Sequence, residues 1–591
     1  MVKATLKSLS DALADRLVEG ALPGELAGFG AAERAEASRF MASAAGLRPA
    51  GTVRMALETI SGDDSNRQMR LAIVNDDMPF LVDSIAATIG AHDIAIDRII
   101  HPVLLIERGA DGAVEQVGSG TPESMIYIEM ERVDARRRRL LLTDIERNLE
   151  NVRLAVADWE PLQAAMAQDA QTLAASHNAI EQEGGALLAW FLDRHFTLLG
   201  HGHWSCDGER SAMLGIARLN QPVPILADHS RMLALDWFKS GNPAPLLVKS
   251  NLISSVHRHV PLDLAIVPVR ADGAIVGLSI HAGLWTSSAL NAPPQDVPVL
   301  RARLQALEAK FGFDPKGHTG KALSHALTAL PHDLVTAFDS ASLEALALTA
   351  MSLADRPRPE MVLVRSILGR HMFAFVWLPR DDLSTVRRIA IGDMLAEASN
   401  GALLNWSIAL EDGVVAMIRY TFDLRGEGRM PEVAPLNLRL ARMLRGWAPA
   451  IEAALAEMAD PARAARLALR HANCFPQAYR TTSTPEEAAR DILCLATLET
   501  PEARSVRIFR DAGGARLKIY RYGGPLALSD AVPVLENFGF RVIEEVPTAL
   551  SDEAEGYVHD FAIQPGADAV PGALEGDTSV LEGAIAAVLE G

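Results

Sequence analysis

Two histidine pairs carry spacing that could do chemistry. His201/His203 and His257/His259 each set two imidazoles two positions apart. On a strand that spacing puts both rings on one face, where they could bind zinc. Neither pair has a third ligand with a clear pattern, so a structural or surface role is expected. Residues 315–322, PKGHTGKA, partly mimic a phosphate loop. They lack its first glycine, and Ala322 stands where Ser or Thr would hold magnesium, so a helix start is expected. Gly28-Phe29-Gly30 and Gly118-Ser119-Gly120 lack the third glycine of a dinucleotide fingerprint, and neither joins a convincing strand to a helix. HExxH and GxSxG do not occur. Asp76, Asp77 and Asp83 gather around one expected helix start, where capping and the helix dipole favour carboxylates.

The elements that must position these residues follow from hydropathy patterning. In the first patterned segment, 68–160, residues 71–75 form a short apolar strand, and Asp76, Asp77 and Pro79 open a helix. Leu81, Ile85 and Ile89, with Val82 and Ala86 beside them, make its apolar face. A long strand over 94–106 reaches a hairpin turn at Asp111-Gly112 and continues into 113–117. Ile126, Ile128 and Met130 alternate with Tyr127, Glu129 and Glu131 in a half-buried strand. A charged helix then runs to about Trp159, and Arg136-Arg137-Arg138-Arg139 is its solvated start.

Two further segments share a ββαββ order. In 358–425, strands 361–367 and 372–378 flank Gly369, a helix over 385–398 ends at Asn400-Gly401, and a second hairpin turns at Asp412-Gly413. In 503–565, strands pair across Gly513-Gly514, a helix covers 528–538, and strands 541–546 and 557–563 close the unit. The region 170–355 mixes strands near 196–204, 246–249, 265–270 and 274–281 with helices at 186–194, 296–311 and 319–355. Single antiparallel sheets with helices on one face predict an α+β multidomain fold.

Composition narrows the function. At roughly 100–200 residues per domain, 591 residues make about three to five domains. A formal charge of −19 disfavours nucleic-acid binding, which depends on neutralising phosphates. Cys206, Cys474 and Cys494 are scattered, which excludes a disulfide framework and suits a reducing cytoplasm. No uncharged apolar run approaches the roughly 20 residues that span a bilayer, so a cytoplasmic chain without membrane contact is expected.

The run IVNDDMPFLVDSIAATIGAHDIAIDRIIHPVL (73–104) resembles the opening ACT-like module of the large bacterial NAD-specific glutamate dehydrogenases. The resemblance continues in order through ESMIYIEMERVD, LLAWFLDRHFTLLGH, SVHRHVPLD, KGHTGKAL, FVWLPRDDLST, LENFGFRVIEE and YVHDF, over roughly 70–565. It implies ACT-like (ferredoxin-like) modules joined by helical segments. The expected divisions are an N-terminal helical segment (1–65), module 1 (66–165), a mixed middle domain with a helical end (170–355), module 2 (356–428), a helical connector (430–500), module 3 (501–568) and a C-terminal helix (569–591) leading toward a catalytic domain expected to be absent. Gly184-Gly185, Gly513-Gly514 and Gly523-Gly524 lack the Lys-Gly-Gly that would follow in that domain's catalytic motif.

The resemblance further implies NAD as cofactor of the whole enzyme, none being expected in this chain, and a regulatory and assembly role here. The implied partners are further copies through the ACT-like modules, the catalytic domain in cis or encoded downstream, and an amino-acid effector. ACT-like units can hold such an effector where the first strand meets the first helix. That turn offers Asn75, Asp76, Asp77, Pro79 and Asp83, with Phe80 where ligand-binding relatives have glycine. The alternative is a stand-alone ACT-type amino-acid sensor.

Overall fold

The computed structural model describes residues 2–19, 24, 26–60, 68–219, 223–410, 415–424, 428–444, 446–511, 514–551, 556–566 and 578–591. The turn expected at Asp412-Gly413, and Gly513, lie outside these residues. The chain is α+β and multidomain, with two compact units, Met1–Val433 and Ala434–Gly591.

Unit one opens with α1 (Val2–Arg16) and α2 (Ala31–Ala45), followed by β1 (Arg54–Ile60) and β2 (Gln68–Asp76). The strand β1 corrects the expectation of a wholly helical start: it pairs antiparallel with β2, Met55 opposite Ile73. Next come α3 (Leu81–Ala91), β3 (Ile96–Ile100), β4 (Val103–Arg108), β5 (Val114–Val117) and β6 (Thr121–Glu131). The long strand expected over 94–106 is broken at His101-Pro102, where proline has no N–H to give a ladder. Both halves pair with β6, so they act as one bent strand. The sheet order is β1-β2-β6-β4-β5, with β3 also on β6.

This sheet is buried on both faces. Leu71, Ile73, Ile126 and Ile128 face Leu81, Ile85 and Ile89 of α3. Ala72, Val74, Met125 and Tyr127 face Leu9, Leu13 and Met41 of α1 and α2. A strand covered on both sides reads as a continuous apolar run, which explains why 71–74 shows no alternation.

Helices α4 (Ala135–Ala157), α5 (Trp159–Ala174) and α6 (Ala179–Trp190) lead to β7 (Phe196–Ser205) and β8 (Arg210–Gly215). Asp134 caps α4 by accepting from the Arg136 and Arg137 amides. Then follow α7 (Asp228–Lys239), β9 (Leu246–Ile253), β10 (Pro261–Ala271) and β11 (Ala274–Trp285). They form an antiparallel five-stranded sheet, β8-β7-β11-β10-β9.

The helical end comprises α8 (Ser287–Leu290), α9 (Leu300–Phe311), α10 (His318–Ala329), α11 (His332–Val335) and α12 (Ser340–Asp355). Residues 319–355, read as helical throughout, are interrupted at Pro331, which cannot continue a helix, and at Asp339, which caps α12. The last module of this unit is β12 (Glu360–Arg365), β13 (His371–Pro379), α13 (Thr385–Ser399), β14 (Ala402–Leu410) and β15 (Val415–Asp423), in sheet order β12-β13-β15-β14.

From α14 (Val433–Met443) the chain passes into unit two. There α15 (Trp447–Met458), α16 (Pro461–His471), α17 (Gln477–Thr482) and α18 (Pro485–Leu495) precede β16 (Ser505–Asp511) and β17 (Gly514–Tyr522). Then come α19 (Leu528–Asn537), β18 (Phe540–Ala549), β19 (Gly556–Pro565) and α20 (Ser579–Glu590). The sheet order β16-β17-β19-β18 repeats that of the β12–β15 sheet. The first sheet holds the same plan once β3 and β4 are counted as one strand.

Candidate functional site

The five residues of the β2–α3 turn do not share one opening. Asn75 is fully buried; its Oδ1 accepts from Arg153 Nη2 at 2.7 Å, and its Nδ2 donates to the Asp76 carbonyl. Asp76 pairs with Arg48 at 2.9 Å. Asp77 accepts from Ser124 Oγ at 2.6 Å, and Pro79 is exposed. Asp83 meets His257 Nδ1 at 3.0 Å.

None of the three aspartates caps α3, which corrects that expectation. Phe80 occupies the capping position with φ 71°, and the helix begins two residues beyond Pro79. A left-handed phenylalanine is strained, so the turn is held by what surrounds it. Ser84 Oγ donates to the Phe80 carbonyl at 2.6 Å and accepts the His257 amide at 2.9 Å. The His257 ring lies 5.6 Å from the Phe80 ring, and His257 also has positive φ. The β9–β10 connection therefore packs against the helix start where the resemblance implied an amino-acid effector.

That connection is a junction. Ser255 Oγ accepts from Asn151 of α4 at 2.7 Å. Within β9, Asn251 bonds Asp423 at 2.5 Å and His371 at 2.7 Å, both in the β12–β15 module. Just before it, Lys249 bridges Asp263 (2.5 Å) and Asp333 (2.6 Å), and Asp333 also meets Arg419 of β15. The strand β9 and its loop thus bind both ACT-like modules of unit one.

The histidine pairs have separate fates. His257 holds the α3 turn, and burial lowers the His259 pKa. His201 lies opposite His281 in the sheet with rings 4.6 Å apart, and His203 is 5.1 Å from His201. Asp169 of α5 reaches His281 Nε2 at 2.8 Å and accepts from Ser279 Oγ. Burial, reinforced by the neighbouring histidines, pushes the His201 pKa down to about 3. Burial alone would raise the Asp169 carboxyl, but its bonds to His281 and Ser279 hold it below the usual range. Among the described residues no group of three or more His, Cys, Asp or Glu is arranged to hold a metal ion. Asp169 and His281 were not singled out in the sequence, because they stand far from 201–203 and carry no motif.

Other charged groups pin elements together. Glu123, almost fully buried, accepts from Arg48 and Arg108; burial alone would raise its pKa, but these bonds hold it low. In unit two, buried Lys518 of β17 reaches Asp491 and Glu487 of α18, each at 2.7 Å, and Tyr479 and Tyr520 donate to Asp491. Residues 317–320 stand at the start of α10, as the helix-start reading expects.

Three antiparallel sheet-plus-helix modules of one topology, together with helical stretches and one five-stranded antiparallel sheet, define a multi-module ACT-type chain. Residues 13–145, 361–448 and 504–574 match the ACT1, ACT2 and ACT3 domains of glutamate dehydrogenase. Residues 297–356 and 454–498 match its helical motifs 1 and 2. Similar relatives include the NAD-specific glutamate dehydrogenases of Halomonas elongata (28% identical, over 84% of this chain) and Pseudomonas aeruginosa (28%, over 83%). That of Mycobacterium tuberculosis is 25% identical over 84% of this chain. The matches cover 32% of each relative, so the chain spans about a third of their length. The chain belongs to the large NAD-specific glutamate dehydrogenase family.

Proposed function

We propose that this chain is the regulatory and assembly region of an NAD-dependent glutamate dehydrogenase. The whole enzyme would convert L-glutamate, NAD and water to 2-oxoglutarate, ammonium and NADH, with the reacting site outside these residues. The supporting observation is that all four sheets among the described residues are antiparallel. A dinucleotide is usually held at the switch point of a parallel, doubly wound sheet by a glycine-rich turn, and the residues present do not suit that task.

Regulation and assembly are the roles that fit what is present. Three similar modules carry exposed sheet edges, and such edges invite pairing. The edge strand β14 exposes Leu403, Trp406 and Leu410, and β18 exposes Ile543 and Val546. Further copies of the chain would pair there. Among the described residues no helix is long and apolar enough to cross a membrane, and the three cysteines are free; both accord with a cytoplasmic setting.

The test is to mix the purified chain with a polypeptide carrying the glutamate dehydrogenase catalytic domain. A stable complex whose NADH production differs from that of the catalytic polypeptide alone is expected. Absence of both association and any change in rate would contradict the proposal.

A further inference from the structure

One face of the β12–β15 sheet is covered only in part. Phe373, Phe375 and Trp377 of β13 and Met417 of β15 share a core with Phe338 and with Leu346 of α12. That cover stops short of the edge strand β14, whose Ser407 and Ala409 stand opposite Arg419 and Met417. The gap is a cavity of about 610 Å³, walled by α10, the turn at Pro331 and the end of α8. That volume falls in the range of small-molecule sites.

We infer that this cavity binds a small organic monocarboxylate that carries no ammonium group. At its back, Lys249, Arg258 and Arg419 act together on Asp263 and Asp333. Three cations against two carboxylates leave one positive charge to balance. Arg419, its side chain 20% exposed, donates from Nη1 to Asp333 and from Nε to Ser407 Oγ. Its Nη2 and the Ser407 hydroxyl proton have no partner among the described residues. Two such donors side by side suit the two oxygens of a carboxylate. Both aspartates are already held by cations, so no acceptor is left for an ammonium group. Leu290, Ala329, Pro331 and Ala409, all partly exposed, line the rest of the wall and would shelter a short apolar body.

The cavity shares no lining residue with the β2–α3 turn. His325 and Thr328 of α10 form its exposed rim. An occupant would touch α10 on one side and β14 and β15 on the other, and so tie the helical end to the module that follows it. The binding follows from the charge balance and the two free donors, and it does not depend on the regulatory reading above.

Calorimetric titration of the chain with 4-methylpentanoate tests the site. Saturable binding with a Kd of about 1 mM or tighter is expected. 4-Methylpentanamide lacks the charge, and L-leucine adds an ammonium group to the same skeleton. Each should bind at least about tenfold more weakly. Ser407→Ala, which removes one donor, should weaken 4-methylpentanoate binding by about threefold to tenfold. Thr328→Trp, at the exposed rim, should abolish it with an unchanged melting temperature. Absence of saturable binding by the wild-type chain would overturn the inference. Equal affinity for the amide or for leucine, or full affinity in both variants, would overturn it as well. Association with the catalytic polypeptide despite absent carboxylate binding would overturn this site alone and leave the regulatory reading standing.

Discussion

At the residue scale, buried ionisable groups decide stability more than they suggest catalysis. His201 is neutral in the fold because burial and two neighbouring imidazoles oppose its charge. Its folded pKa of about 3 lies below the roughly 6.5 of an unfolded histidine. Between those values the unfolded chain binds the extra proton, so stability falls as pH falls, by about 1.4 kcal/mol per unit. Chemical denaturation between pH 6.5 and 5 should show a shallower loss in His201→Gln than in wild type. Identical slopes would contradict this account of the histidine stack.

Lys518 makes a second case. Removing one partner of a buried ion pair typically costs about 3–5 kcal/mol, because the other charge is left without a partner. Lys518→Met leaves Asp491 buried beside Glu487, so the unfolding free energy of unit two, read from chemical denaturation, should fall by that order. A change below about 1 kcal/mol would show that Arg507 and the two tyrosines suffice for Asp491.

The sequence made some of these residues visible and hid others. The aspartates of the β2–α3 turn were easy to find, because local spacing marks a helix start. Their pairing with Arg48, Ser124 and His257 was not legible, since each partner arrives from a distant element. Sequence reading therefore assigned them a capping role that Phe80 displaces.

At the element scale, patterning worked where a strand is a continuous apolar run or has one wet face, and failed where a strand is frayed at a sheet edge. The two ββαββ modules were legible because turns and alternation agree. Strand β1 was not: it is an edge strand with mixed exposure and no period-two pattern. Strand β8 escaped for a related reason, since half of it is exposed.

Two glycines test the packing of helices directly. Gly184 of α6 faces the 244–245 peptide, and an added Cβ would lie 2.2 Å from Pro245 Cδ and 2.6 Å from the Ala244 carbonyl. Backbone cannot yield cheaply, so Gly184→Ala should lower the melting temperature, by about 1–3 kcal/mol of stability. Gly90 of α3 has open space around it. Gly90→Ala should raise stability by up to about 1 kcal/mol through helix propensity. Equal effects at the two positions in thermal unfolding would refute the packing described for α6.

At the scale of the whole molecule, the proposed assembly role rests on three repeated modules. Within unit one, strand β9 and its loop touch both modules, so a local change there can be felt in each. Light scattering at tens of micromolar should give at least a dimer, through the exposed edges of β14 and β18; a strictly monomeric mass would count against assembly. The proposed function places the dehydrogenase chemistry outside this chain. Its most direct test is the absorbance of NADH when the purified chain is given saturating L-glutamate and NAD. The account predicts no turnover above background. Steady NADH formation at about 1 per second or faster, within the ordinary range of enzymes, would contradict it.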